Sequence, residues 1–358
     1  MPKSRELTGR GAVCALAALA LSAALTSAAA APLPGESSRI PFAERFHMTG
    51  HGGIARTGRA AVACRPAARR TGPAGPACAA PRHARRTARR DVDGDPRTDG
   101  SSSARLRLPA GSRVRYARLY WGGDLRAGGH RAAEDAGQVL LGSPRGPYER
   151  IRAEGPIGRR TTARSDDYQA AADVTPLVRR GGAGTYTVAR AASGSSRAGA
   201  RARGGWVLVV AYENPAEPLR RLALWDGFEA LGGRRRTFAV ELAGLGIPAH
   251  SRGRAGVVAY HGTRENHGKV SARTGRITPV ARRDSAGPAN RAVRSADLYF
   301  GRRAPGAAAH RKGIGFGSEV FDLTPALRSG GDRLAFRFTT RKAGYLLGAL
   351  FVQADLGR

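Results

Sequence analysis

One ten-residue motif occurs twice in this chain, and no other feature constrains its fold as strongly. Asp173-Val174-Thr175-Pro176-Leu177-Val178-Arg179-Arg180-Gly181-Gly182 returns 149 residues later (322 − 173) as Asp322-Leu323-Thr324-Pro325-Ala326-Leu327-Arg328-Ser329-Gly330-Gly331. Asp, Thr, Pro, one Arg and both glycines match position for position. Each copy runs into alternating apolar residues, Thr185 to Val188 in the first and Leu334 to Phe338 in the second. The offset is that of a domain, not of a solenoid repeat. The chain is therefore expected to lay down one fold twice. Within each copy, Thr175 or Thr324 is expected to cap a short helix, with Pro176 or Pro325 at its first position, where a missing N–H costs nothing. The Gly-Gly pair stops the helix and a strand follows.

The rest of the pattern is short strands between turn signals. Ser101 to Leu108, Val114 to Trp121, the hairpin Val139 to Leu141 with Tyr148 to Arg152, Trp206 to Tyr212 and Leu219 to Phe228 read as strands. Ile40 to Ile54 reads as a strand, a turn and a second strand start. Later in the chain, Thr237 to Leu242, Ala255 to Tyr260 and Tyr345 to Val352 resemble the stretch before Pro109, Arg115 to Tyr120 and Trp206 to Tyr212 in turn. No long amphipathic helix appears. The expected fold is all-β: two tandem jelly-roll-like β-sandwiches behind a disulfide-stapled N-terminal loop. The boundaries read as 1–30 signal peptide, 31–100 N-terminal extension, 101–231 first sandwich and 232–358 second sandwich.

The first residues carry a secretory pattern: Lys3, Arg5 and Arg10, an apolar run from Ala12 to Leu25, and small residues from Ser27 to Ala31. That run is too short for a membrane span, so a secreted protein, extracellular or loosely wall-associated, is expected. Cys14 leaves with the signal. Cys64 and Cys78 remain, and in an oxidising compartment they are expected to form a disulfide. Closing a loop of about 15 residues contributes roughly 3 kcal/mol in the chain-entropy model.

The formal net charge is +33, from 60 Lys and Arg against 27 Asp and Glu. A field of this strength attracts polyanions. The densest clusters are Arg82, Arg85, Arg86, Arg89 and Arg90, and Arg234, Arg235 and Arg236. Specific nucleic-acid recognition would need aromatics interleaved with basic groups, which are missing. Asp91, Asp93, Asp95 and Asp99 place alternating carboxylates in one loop and are candidate ligands for a structural calcium. Glycine at the fourth position of that loop and Ser102 at the twelfth exclude an EF-hand. Trp121 and Trp225 are the candidate sugar-stacking residues, whereas Trp206 lies on a strand apolar on both faces and reads as core. His261 to His267 fits no zinc spacing. No G-x-S-x-G elbow occurs, so no enzyme is expected.

Four stretches carry a resemblance: Pro41 to Gly53, Asp91 to Gly123, Tyr168 to Ala189 and Gly204 to Leu231. Together they resemble an uncharacterised all-β domain of exported actinobacterial and archaeal surface proteins, often found ahead of Ig-like repeats and a wall anchor. The resemblance implies surface location and no catalytic activity. Two departures from that pattern stand out: neither the repeats nor the anchor is expected for this chain, and Arg occupies many loop positions. The expected function is non-catalytic binding of anionic cell-envelope or matrix polymers, with a carbohydrate-binding-module-like glycan binder as the alternative and a secreted hydrolase third.

Overall fold

The computed structural model describes residues 35–64, 87–89, 91–98, 100–127, 136–163, 165–191, 204–260, 269–274, 316–340 and 344–357. Residues 1–30, expected to be a signal peptide, and Cys78 lie outside these residues, and so does any disulfide from Cys64. In chain order the first half gives β1 (Glu36–Ser37), β2 (Ile40–Ala60), β3 (Val62–Cys64), β4 (Thr87–Arg89), β5 (Ser101–Leu106), β6 (Arg113–Asp124) and β7 (Gln138–Gly142). It continues with β8 (Tyr148–Arg152), β9 (Ile157–Thr161), β10 (Asp166–Asp173), the helix α1 (Thr175–Gly181), β11 (Gly184–Ala189) and β12 (Gly204–Glu213). The second half gives β13 (Leu219–Leu231), β14 (Thr237–Leu242), β15 (Gly253–Tyr260), β16 (Lys269–Thr274) and β17 (Phe316–Asp322). A 3₁₀ turn (Thr324–Ala326), β18 (Leu334–Thr339) and β19 (Tyr345–Asp355) complete it. The protein is all-β, as its sequence predicts.

Strand order shows the duplication directly. One ten-stranded sheet runs β1-β9-β10-β6-β12-β2-β13-β19-β15-β17, beside a four-stranded sheet β5-β11-β7-β8 and a three-stranded sheet β14-β18-β16. The run β10-β6-β12-β2 is answered by β17-β15-β19-β13, and β5-β11-β7 by β14-β18-β16. The correspondences of β14 with β5 and of β19 with β12 are those the sequence predicts.

The repeated motif makes the same bonds in both copies, though not the expected ones. Val174 N–H donates to Ala117 O (2.9 Å) and Leu323 N–H to Gly253 O (2.8 Å). Thr175 Oγ1 accepts from Ala117 N–H (2.9 Å) and Thr324 Oγ1 from Gly253 N–H (3.3 Å). The threonines thus tie the turn to a neighbouring strand and do not cap a helix. The aspartates do the local work, Asp173 Oδ1 accepting from Thr175 N–H (2.7 Å) and Asp322 Oδ1 from Thr324 N–H (3.0 Å). These bonds pair Ala117 with Gly253, an offset of 136 (253 − 117). Pairing Arg115 with Ala255, as the sequence predicts, misplaces the strand by four residues.

β2 differs most from expectation. The glycines around His51 read as a turn, yet Ile40 to Ala60 is one 21-residue strand. Its first part pairs with β13 and its second with β12. The crossing needs glycine for close approach, since a Cβ at Gly52 would stand 2.0 Å from Tyr212 O. Through this strand the large sheet passes from one half to the other, and the halves pack face to face, as sheets do when a strand turns the corner between them. β13, placed by its sequence at the end of the first sandwich, pairs with β19 and opens the second unit. Its apolar pattern shows that it is buried but not against which neighbour.

Three cores separate four layers. Leu119, Trp121, Trp206 and Leu208 pack against Leu141 and Tyr186 of the four-stranded sheet. Val257, Leu350 and Val352 pack against Phe336 and Phe338 of the three-stranded sheet. Between these lies a core made wholly from the large sheet, with Tyr120, Val207 and Val209 meeting Phe228, Val258 and Phe351. Burying one such side chain contributes about 1.5–3 kcal/mol. Among the described residues no helix is long and apolar enough to cross a membrane.

Candidate functional site

Neither candidate tryptophan can hold a sugar. Trp121 is 0% exposed and its Nε1 donates to Ala136 O (2.9 Å), while Trp225 sits in the second core. The Gly122-Gly123 pair reads as a strand end that would leave Trp121 at a rim. Instead β6 continues to Asp124 and is covered on both faces. His261 to His267 lies outside the described residues.

The acidic loop leads to a different aromatic residue. Asp93 Oδ2 accepts from Tyr148 Oη (2.5 Å), and its Oδ1 accepts from Asp95 N–H (3.2 Å) and Thr98 Oγ1 (3.1 Å). Ser101 Oγ donates to Asp91 Oδ1 (3.0 Å) and accepts from Val92 N–H (2.9 Å). Asp95 Oδ1 accepts from Arg97 N–H (2.9 Å). Such Asx-type bonds are what short acidic side chains make in turns. Burial alone would raise the Asp93 carboxyl, but the Tyr148 hydroxyl, the Asp95 N–H and nearby side chains bring it down to about 2. Asp99 lies outside the described residues. Among the described residues no three His, Cys, Asp or Glu side chains gather as a metal-binding group.

Tyr148 belongs to the outer face of the four-stranded sheet. On β8 it stands opposite Gly142 of β7, which pairs with Thr187 of β11, which in turn pairs with Ser103 of β5. Its ring covers the glycine, with ring atoms 3.2 and 3.3 Å from where a Cβ would stand at Gly142. Ser103 Oγ and Thr187 Oγ1 are 2.7 Å apart. Side chains on one face recur every second residue, so Arg105, Arg150 and Arg152 join this face. All three are exposed, and none pairs with an acid among the described residues. The sequence signal was present in the alternation of β8, but a hairpin of mixed polarity does not show which of its faces is solvated.

A second constellation lies where the two halves of the large sheet meet, and the sequence gives no hint of it. Arg118 Nε donates to Asp226 Oδ2 (2.6 Å), Arg45 Nε to Asp226 Oδ1 (2.5 Å) and Tyr120 Oη to Asp226 Oδ2 (3.3 Å). Arg118 also pairs with Glu154 (3.2 Å), and Glu229 holds Arg39 (2.8 Å) and Arg235. The Arg118 and Asp226 side chains are 6% and 5% exposed. Burial works against the Arg118 cation, yet Tyr120 and Asp226 beside it push its pKa above the ordinary arginine value. Burial also raises the Tyr120 phenol, helped by Asp226, so it stays neutral and able to donate. Each acid here is matched by a base, and the bonds join β6 to β13. That is a fastening between sandwiches.

The expected arginine clusters are only partly visible. Arg82, Arg85, Arg86 and Arg90 lie outside the described residues, and Arg89 ends β4. Arg235 is spent on Glu229 and Arg236 Nε donates to Gly233 O (3.4 Å), while Arg234 is exposed. No protein-family model and no curated protein matches this chain.

Proposed function

We propose that this chain is an exported, non-catalytic protein that binds anionic polymers of the cell envelope or extracellular matrix. The observation that carries this is the excess of exposed arginine over acid. Arg105, Arg107, Arg113, Arg150, Arg152, Arg234, Arg254 and Arg337 are exposed without an acidic partner among the described residues, in a chain of formal charge +33. Charges left unpaired at a surface do little for stability and create a field that draws in polyanions. The resemblance to surface-protein domains and the secretory pattern of residues 1–30 support the location, and the jelly-roll class of the two sandwiches belongs to the same proposal. Incubating the full chain with isolated Gram-positive walls tests this: binding that is strong at low salt and lost at high salt supports it, and failure to sediment at low salt removes it. A calcium held by Asp91, Asp93, Asp95 and Asp99 is a secondary proposal. It requires the melting temperature to rise with calcium and fall with EDTA; unchanged curves remove it.

A further inference from the structure

We infer that the outer face of the four-stranded sheet, centred on Tyr148, is the binding site for an acidic polysaccharide. The inference rests on the proposal that the protein binds anionic polymers and gives that activity a place. Three observations converge on this face. Tyr148 is half-buried, fixed on its underside by Gly142 and at its hydroxyl by Asp93. A ring held in this way offers one flat face at little entropic cost, which is what stacking on a pyranose requires. Beside it the Ser103 and Thr187 hydroxyls are half-exposed and bonded to each other. They can exchange that bond for sugar hydroxyls. Flanking them, Arg105 lies on one side and Arg150 and Arg152 on the other, each lacking an acidic partner among the described residues.

Charge complementarity selects the occupant. A neutral glycan would leave these three guanidinium groups unanswered, whereas a uronate every residue or two along a chain would meet them in planar, bidentate fashion. A compact polyanion without rings would leave the tyrosine unused. Two rim carboxylates are neutralised by other arginines, Asp95 by Arg97 (3.3 Å) and Glu149 by Arg180 (2.7 Å). Asp93 is bonded by the neutral Tyr148 hydroxyl, Asp95 N–H and Thr98 hydroxyl and keeps its charge, and the three arginines outnumber it. Rows of side chains about 7 Å apart and strands about 5 Å apart give the face the dimensions of several linked sugars.

Calorimetric titration of the full chain with polygalacturonate, dextran and polyphosphate at low salt tests the site. Polygalacturonate is expected to bind and dextran is not. Tyr148→Ala should weaken polygalacturonate about tenfold and leave polyphosphate unchanged. Tyr148→Phe keeps the ring and should retain affinity, which separates stacking from the bond to Asp93. The triple variant Arg105→Gln/Arg150→Gln/Arg152→Gln alters only exposed residues and should also lose about tenfold or more. If the parent binds polygalacturonate while Tyr148→Ala and the triple variant bind it equally well, the site is overturned and the broader proposal stands. If the parent binds neither polyanion, both fall. Dextran bound as tightly as polygalacturonate would overturn the acidic specificity.

Discussion

Two residues carry much of the chemistry that is hidden or half-hidden here. Asp226 is buried between the sandwiches and accepts from Arg118, Arg45 and Tyr120. Removing one partner of a buried pair leaves an uncompensated charge, a loss of about 3–5 kcal/mol. Asp226→Ala is therefore expected to destabilise by that amount in a urea titration. Arg118→Met combined with Asp226→Leu should recover most of the loss, because the second charge is then gone as well. Asp93 behaves differently, being near the surface and held at about pKa 2 against an ordinary value of 3.8. A folded-state pKa below the unfolded one adds stability that is complete above about pH 4 and lost as the pH falls toward 2. Between those limits the parent should lose more stability than Asp93→Asn does; parallel pH profiles for the two would contradict this.

At the scale of elements, the repeated motif shows what its sequence could and could not reveal. Thr175 and Thr324 accept from equivalent strands, but Thr175 is buried and Thr324 half-exposed. Thr175→Val leaves the Ala117 N–H unsatisfied and should cost about 1–3 kcal/mol. Thr324→Val should cost less, since Thr324 itself is half-exposed; equal effects on the melting temperature would contradict that difference. The motif, the strand alternation and the correspondence of β14 to β5 and of β19 to β12 were legible because they depend on local spacing. The passage of β2 between two sheets was not, because glycine marks a turn and a close approach with the same letter. Nor was the burial of Trp121, since a glycine pair beside an aromatic reads equally well as a rim. Arg118 in an alternating strand looks like a solvated face, and only the second sandwich packed against it shows otherwise. Tyr148 was missed because its importance comes from Gly142 and Asp93, which lie on other elements.

Across the whole molecule, the two sandwiches share one large sheet and a core of Tyr120, Val207, Phe228 and Phe351 that neither completes alone. Calorimetry should accordingly record a single cooperative unfolding transition for the described body, with calorimetric and van't Hoff enthalpies in agreement. Two resolved transitions would show that the shared core contributes little. This shared arrangement leaves the outer faces of the two smaller sheets as the surfaces turned to solvent, and the first carries Tyr148 with Arg105, Arg150 and Arg152. Electrostatic attraction to a polyanion is screened as ionic strength rises, whereas stacking on a ring is not. The most direct measurement is the affinity of the full chain for polygalacturonate across a salt series. The expected result is binding that weakens steeply with salt and is about tenfold weaker for Tyr148→Ala at every concentration. Absence of binding at low salt, or an affinity indifferent to salt, would contradict the central claim that this is a binder of anionic polymers.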